Sequence, residues 1–400
     1  MARAERLMKP LRLSLGIFGI CHRRQKSEVN PAIDDPAKKT SIIVKRSTEN
    51  FLRFYCVFVC TLLSLNVLRY LPSFWVGIDF IPNLTALRII TLLFYLQNAI
   101  VSIVLFIFYD NRNHFESYVK QYIDAVEDQI SKSLMLNPKS DRIRKCGARN
   151  LAIGWTYFTI NASLTIFAIN SNFSPVIPGL ACNPFPNTSL SVRVLASFVQ
   201  IISSGVSIFP VVMFCTLVSA IEFLYDDLYD VMKQTKIEHS SCRLDIVKNI
   251  RKKHLQLCKM VETVDQSLQF YVAAVFVINL GIACFTTYEM INKSVHSTDL
   301  ADISILSFWL ACTILTMLII TKKAATLHEK AHGLSKEIFN IDVHDTNIDD
   351  MIELNLLMTK LHGPSIGLSV LGIITITKEM ILTLAGLYLT YFFLLLQFRI

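Results

Sequence analysis

Charge is what this chain has least of. Asp, Glu, Lys and Arg supply 18% of its 400 residues, against roughly 25% in soluble domains. None of them stands at the centre of a long apolar run. That shortage counts against proton- or ion-coupled transport, which needs ionisable groups inside the membrane. No part of the sequence repeats another, so repeated-half transporter architectures find no support. His, Cys and acidic residues form no ligand-spaced cluster, and neither a phosphate-binding glycine loop nor a nucleophile motif is present. No enzyme activity, metal or cofactor is expected.

What the chain does have is apolar residues, at 52%, with a mean hydropathy of +0.46. They gather in runs long enough to cross a hydrocarbon core, which takes roughly 20 helical residues. Seven such runs stand out: Phe54–Pro72, Ile89–Tyr109, Leu151–Asn170, Val194–Ala220, Leu268–Met290, Ile303–Thr321 and Met380–Phe398. One run alone reads equally as a soluble core helix; seven do not. The expected fold is an all-α membrane protein with seven transmembrane helices. Its expected organisation is a cytoplasmic N-terminal segment (1–53) and six spans (54–321) with long cytoplasmic loops at 110–150 and 221–267. A cytoplasmic helical segment (322–379) and a seventh span (380–398) follow.

Two independent signals set the orientation. Lys and Arg number 12, 8, 8 and 5 in the N-terminal, second, fourth and sixth connections, but one each (Arg88, Arg193, Lys293) in the first, third and fifth. Positive charge marks the cytoplasmic side, so the N-terminus is expected inside and the C-terminus outside. Topology also accounts for the net charge of +8, with no call for nucleic acid. Sequons at Asn83, Asn172, Asn187 and Asn292 all fall in the outside loops, with Asn83, Asn187 and Asn292 the candidate glycosylation sites. Of ten cysteines only Cys182 lies in an outside loop, which makes a loop-to-loop disulfide within the chain improbable.

The outside loops are short, about 16, 23 and 12 residues, so a ligand must enter among the helices. The inside connections are long and helical in pattern. Phe115, Tyr118, Val119, Tyr122, Ile123, Val126 and Ile130 form one apolar stripe. The spans are therefore expected to continue into a cytoplasmic helical bundle, read either as a subunit-assembly domain or as packing within one chain. Near the N-terminus, Leu11–Ile20 is apolar with basic flanks but holds Arg12, Ser14, Gly16 and Gly19. It reads as a docking or membrane-surface helix rather than a cleaved leader.

The last span carries the sharpest pattern. Thr383, Leu387, Thr390, Leu394 and Gln397 share one helical face, alternating hydroxyl or amide with leucine. Two readings stand on these residues alone. Several copies of the helix can surround a pore, with Thr and Gln solvating ions and Leu rings closing the path by dewetting. The polar groups can equally bond neighbouring helices as packing contacts.

The span ends Thr390-Tyr391, five apolar residues, then Gln397-Phe398. This resembles the signature of the last span of insect gustatory receptors. Leu361-His362, Gly372 and Ile376 before it, and more loosely Pro10–Gly19, also resemble that family. The resemblance covers the whole chain by topology and about the last 40 residues by motif. It implies a ligand-gated, non-selective cation channel, built as a homo- or heterotetramer with related receptors in the plasma membrane of sensory neurons. It implies a seventh helix that lines a central pore, and by motif it reaches Thr390, Tyr391, Gln397 and Phe398, the last two near the outer constriction. Helical spacing then adds Thr383, Leu387 and Leu394 to the expected pore lining. It also implies a small-molecule pocket in the outer half of the helix bundle. Candidates there, chosen by polarity, are Gln97, Asn98, Asn161, Gln200, Thr287, Tyr288, Glu289, Ser307 and Trp309. The lipid bilayer, a tastant and permeating cations are the expected partners. The alternatives are a light- or peroxide-responsive relative and a receptor signalling through G proteins. The G-protein class predicts an N-terminus outside, an Asp-Arg-Tyr after the third span and an Asn-Pro-x-x-Tyr in the seventh, and the sequence offers none of these.

Overall fold

A bilayer interior holds no water to satisfy peptide groups, so a chain crossing it must close its hydrogen bonds within each segment or in a barrel. A computed structural model shows this chain doing so with helices. It describes residues 2–20, 36–74, 85–110, 114–127, 131, 134, 140–170, 176–182, 185, 189–235, 243–295, 300–339, 348–363 and 365–398. The helices are α1 (Ala2–Ile17), α2 (Pro36–Tyr70), α3 (Thr85–Asp110), α4 (His114–Glu127), α5 (Ser140–Asn170) and α6 (Val176–Cys182). They continue with α7 (Leu190–Thr235), α8 (Arg243–Val295), α9 (Leu300–Phe339), α10 (Ile348–Leu361) and α11 (Glu379–Phe398). Seven of them, α2, α3, α5, α7, α8, α9 and α11, are long and apolar enough to cross a membrane.

Three helices far exceed a bilayer. α7 has 46 residues, α8 has 53 and α9 has 40. Their apolar halves pass into amphipathic extensions, and the extensions of α8 and α9 pack with α4 and α10. Ion pairs lock that end: Lys323 to Glu222 at 3.0 Å and Lys330 to Asp226 at 2.6 Å join α9 to α7, and Arg251 to Glu353 joins α8 to α10 at 2.5 Å. Lys253 is buried in α8. Its ammonium donates to the carbonyl of Ala125 in the last turn of α4 and to Ser131 Oγ, which caps a helix end left with open carbonyls.

Burial is unequal among the spans. Of the most apolar 18-residue stretch of α7, 83% of the residues are buried; in α11 the figure is 6%. α7 is thus the central post, packed against α5, α8 and α9, whereas α11 touches mainly α8. The inner face of α4 carries the stripe the sequence showed, with Tyr118 and Tyr122 buried and Tyr118 Oη donating to the Leu217 carbonyl at 3.0 Å.

The N-terminal helix docks inside the bundle. Leu11, Leu15 and Phe18 are buried, and the Phe18 ring stacks on Phe209 at 4.9 Å between Trp155 and Phe158. Ser14 Oγ accepts the Trp155 indole N–H at 3.1 Å. Gly19 (φ +65°) then turns the chain, and Ile20 N–H returns to the Leu15 carbonyl at 2.9 Å. The ring fits because α7 has Gly205 there: a Cβ at that position would lie 2.0 Å from the Phe18 ring.

One expectation from sequence is corrected. Residues 322–379 were expected to be helical up to the last span, but between α10 and α11 the chain forms a two-stranded hairpin, Ser369–Val370 paired with Ile374–Thr375. Gly363, Gly367 and Gly372 weaken any helix there. Leu371 (φ +56°) and Gly372 (φ +73°) make a left-handed turn that a helix cannot contain. Half-buried Asp265 then accepts hydrogen bonds from Ser369 N–H at 2.5 Å and Ser369 Oγ at 2.8 Å, fixing the hairpin to α8.

The Phe18 contact yields a paired prediction. Phe18→Ala lowers the stability of the detergent-solubilised protein by about 3–5 kcal/mol, the usual cost of emptying a buried aromatic site. Gly205→Ala is also destabilising, but far less so when Phe18 is already Ala. Thermal unfolding of the four proteins checks this; additive losses would show that the two residues do not meet.

Candidate functional site

Between α3, α5, α6, α7, α8 and α9 lies a cavity of about 140 Å³. Among the described residues, its wall contains no Asp, Glu, Lys, Arg or His. The apolar part is made by Ile90, Phe94, Ile169, Leu180, Ile208 and Ile282, the aromatic part by Tyr95, Tyr157 and Trp309. Helical spacing brings the polar part together: Trp309, Thr313 and Thr316 from α9, and Asn279, Ile282 and Thr286 from α8, fall on single faces. The site sits between the main core and a smaller cluster of Leu87, Ile90, Ile278, Ile282 and Leu306.

Of the polar residues singled out in the sequence, Gln97, Asn161, Gln200 and Trp309 line this cavity. Asn161 Nδ2 donates to Ser204 Oγ at 3.0 Å, which ties α5 to α7. Asn98 faces elsewhere, buried, its amide donating to the Phe94 carbonyl at 2.9 Å. Tyr288 and Glu289 are buried away from the cavity, and Ser307 Oγ donates to the Ile303 carbonyl at 2.7 Å. Thr287 does not line it either; its hydroxyl meets Tyr388 Oη of α11 at 2.7 Å. Asn279, Thr91, Thr286, Thr313 and Thr316 were not singled out, although the α8 and α9 spacings were readable as polar stripes on apolar spans.

The last helix is a second feature. Met380 and Leu384 pack on the core, and the Tyr388 carbonyl accepts from Cys284 Sγ at 3.7 Å. Thr383, Leu387, Thr390, Leu394 and Gln397 are all exposed in the single chain. Thr383 and Thr390 donate their hydroxyl protons to the carbonyls four residues back, Glu379 at 3.3 Å and Gly386 at 2.8 Å. Tyr391 is 51% exposed. The Phe398 side chain lies outside the described residues. So do Asn83, Asn172 and Asn187 entirely, and so does the side chain of Asn292 in the last turn of α8.

A clasp joins α9 to the segment that delivers α11. His332 takes two main-chain partners at once: Nδ1 lies 2.9 Å from the Leu361 carbonyl, and Nε2 accepts Ile366 N–H at 3.0 Å. A carbonyl accepts only, so the ring must carry its proton on Nδ1 and none on Nε2. His328 Nδ1 lies 2.9 Å from the Ile366 carbonyl, and Lys378 pairs with Glu329 at 2.5 Å. Nothing in the sequence marked these histidines, because they act on main-chain atoms far along the chain.

Seven helices able to span a membrane, with a cavity among them whose described wall carries no carboxyl, ammonium, guanidinium or imidazole group, define a multi-pass membrane protein. The 7tm chemosensory receptor family matches residues 42–400, and the chain belongs to that family. The structure is similar to the insect olfactory receptor OR5 from Machilis hrabei, with a TM-score of 0.71, 16% identity and 98% of each chain covered. It is also similar to OR5 in complex with eugenol, with a TM-score of 0.69, 15% identity and the same coverage of both chains. At such identities the likeness is one of fold. No curated protein sequence matches the chain.

His332→Ala leaves the Leu361 carbonyl and Ile366 N–H without their partner, at about 1–3 kcal/mol locally. Amide hydrogen exchange over 361–377 is then expected to accelerate, with little change in α7. Unchanged exchange at Ile366 would show that the clasp does not hold this segment.

Proposed function

We propose that this chain is a gustatory-type chemoreceptor: a ligand-gated cation channel opened by a small molecule bound in the cavity among α3, α5, α7, α8 and α9. The observation that carries the reading is the two-sided use of α8. One face offers Asn279, Ile282 and Thr286 to the cavity; the next offers Cys284 and Thr287 to Tyr388 of α11. A ligand that shifts α8 therefore acts on α11 across one helix thickness.

α11 is suited to a pore only in company. An apolar helix with 6% of its most apolar stretch buried is completed by lipid on one side and by like helices on another. Thr383 and Thr390 have spent their protons on carbonyls and turn lone pairs outward, as cation solvation requires. Leu387 and Leu394 supply the dewetting rings. Gln397 and Phe398 would then stand at the outer constriction, with the N-terminus cytoplasmic as the charge bias argues.

Four chains around the axis are the arrangement this reading requires, as homo- or heterotetramer. α10 supports it: Ile348, Met351, Ile352 and Leu356 are exposed, at 74, 52, 53 and 49%, while Leu357 and Leu361 of the same helix are buried. An apolar face of that kind on the cytoplasmic bundle fits contact with neighbouring subunits. The plasma membrane of sensory neurons is the corresponding location, and Asn83, Asn187 and Asn292 are the corresponding outer-side glycosylation sites.

Whole-cell recording tests the pore. Leu394→Ala is expected to raise the current without ligand, and Gln397→Ala to change the relative permeability of sodium, potassium and calcium. Unchanged resting current and selectivity in both, at normal surface expression, would sink the pore assignment. Ile352→Asp together with Leu356→Asp is expected to shift the solubilised protein to smaller assemblies in native mass spectrometry. Tyr388→Phe, which removes the hydroxyl that meets Thr287, is expected to move the ligand concentration for half-activation without altering selectivity.

A further inference from the structure

The cavity's polar groups divide into two sets, and the division specifies the ligand. The threonines have given their protons away. Thr91 donates to the Leu87 carbonyl at 2.8 Å, Thr165 to Asn161 at 2.7 Å, Thr286 to Ile282 at 2.6 Å, Thr313 to Trp309 at 2.9 Å and Thr316 to Cys312 at 2.9 Å. What they present to the cavity is oxygen lone pairs, so a ligand must bring the protons.

The amides are the opposite case. Gln97 is 6% exposed and Asn279 5%, both line the cavity, and neither hydrogen-bonds to another described residue. Half-buried Gln200, across the cavity on α7, is likewise without a hydrogen-bond partner among the described residues. These amides face the cavity rather than protein, so whatever fills it must supply their hydrogen bonds, and an apolar occupant would leave them unpaired at a cost. Three such amides on three helices, α3, α7 and α8, converge on one space that no charged side chain lines among the described residues. Each has donors and an acceptor to offer.

Electrostatics removes two ligand classes. An ammonium entering this space would lose its hydration and meet no opposite charge on the described wall. A carboxylate would meet only the Arg69 guanidinium, which lies behind the wall and already donates to the Ala181 carbonyl and Asn66 Oδ1, so either ion pays heavily. Hydrogen-bond accounting removes a third. A ligand with a single polar group satisfies one amide and leaves the others unpaired, and sites built this way discriminate strongly against such analogues. An apolar ring face still has a place, against Trp309 and Tyr157.

We propose that the cavity takes an uncharged molecule bearing several hydroxyl groups, with Gln97, Gln200 and Asn279 as its specificity-determining residues. This rests on the ligand-binding role assigned to the cavity above, and its test is separable from that of the channel. Binding is read as the thermal upshift of the purified full-length protein, which needs no current, since any ligand selective for the folded state raises its melting temperature. The probes are matched by skeleton: glucose and myo-inositol as neutral polyols, glucosamine and glucuronate as their cationic and anionic counterparts, and eugenol as a neutral molecule with one hydroxyl.

The expected result is an upshift with at least one neutral polyol and none with either charged counterpart at equal concentration. Gln97→Leu and Asn279→Leu keep the side-chain bulk and remove the hydrogen bonds; each is expected to weaken polyol binding at least tenfold. Gln97→Asn or Asn279→Gln should restore part of it, which a purely structural role would not. A larger upshift with a charged probe or with eugenol, no upshift with either polyol at 100-millimolar levels (about the upper end for weak ligands), or polyol binding unmoved in both leucine variants would overturn the proposal. If the polyols bind but neither they nor Leu394→Ala produce current, the ligand class stands and the channel reading falls.

Discussion

A polar group inside a bilayer has to find a hydrogen bond or face a cavity, and this constraint sorts the chain's side chains by purpose. Most serine and threonine hydroxyls in the spans settle it locally, by donating to the carbonyl four residues back, as Thr61, Thr156 and Thr321 do. Asn161 and Asn170 settle it across helices, on Ser204 and Ser197. Such groups are glue between α5 and α7. Gln97, Gln200 and Asn279 do neither, and they meet in one space. Polarity alone did not separate glue from ligand contact; a place in the cavity wall together with the lack of a partner among the described residues does, since Ser203 and Tyr271 also lack one but lie away from the cavity.

The same logic explains how the ends of the helices are held. Charge was absent from the middle of the spans and concentrated in their extensions, where α7, α8 and α9 run on past the apolar segments. There Glu222, Asp226, Lys323, Lys330, Arg251 and Glu353 pair across helices. Glu222 is buried and the other five are half-buried, so each pair's attraction is set against the cost of desolvating its charges. Their arrangement matters more, because they fix the relative register of α7, α8, α9 and α10 at the end from which α11 departs. His332, His328 and Asp265 then attach the departing chain by its main-chain atoms. α11 is thus gripped tightly at its start and by Tyr388 along its length, with most of its surface left uncovered.

The fold was legible where the signal was local and periodic. Seven apolar runs, the α4 stripe around Tyr118 and Tyr122, and a docking segment at Leu11–Ile20 all follow from spacing within a single element. The hairpin at Ser369–Thr375 was not legible, because Leu371 is an unusual occupant of a left-handed turn and its stabilising partner, Asp265, stands about a hundred residues earlier. The cavity was legible in half. Gln97, Gln200, Asn161 and Trp309 are conspicuous in apolar runs, but Asn98, Tyr288 and Glu289 are equally conspicuous and point elsewhere. Rotation of each helix about its axis decides which polar residue reaches the cavity, and that rotation is set by packing among several helices.

The contrast between α7 and α11 argues most directly about assembly. Both are apolar along their length, with mean hydropathies of 2.2 and 1.8 over their most apolar stretches, yet 83% of one stretch and 6% of the other are buried in the chain. In water the difference would mean that α11 is misplaced. In lipid it means that hydrophobicity does not choose its neighbours, and that close packing and polar contacts do. α11 spends one face on α8, through Met380, Leu384 and Tyr388. Its remaining hydroxyls and amide at Thr383, Thr390 and Gln397 sit on a face that neither α8 nor α9 covers. Lipid tails cannot satisfy such groups, so on the channel reading proposed above this face would meet water and like faces of neighbouring copies.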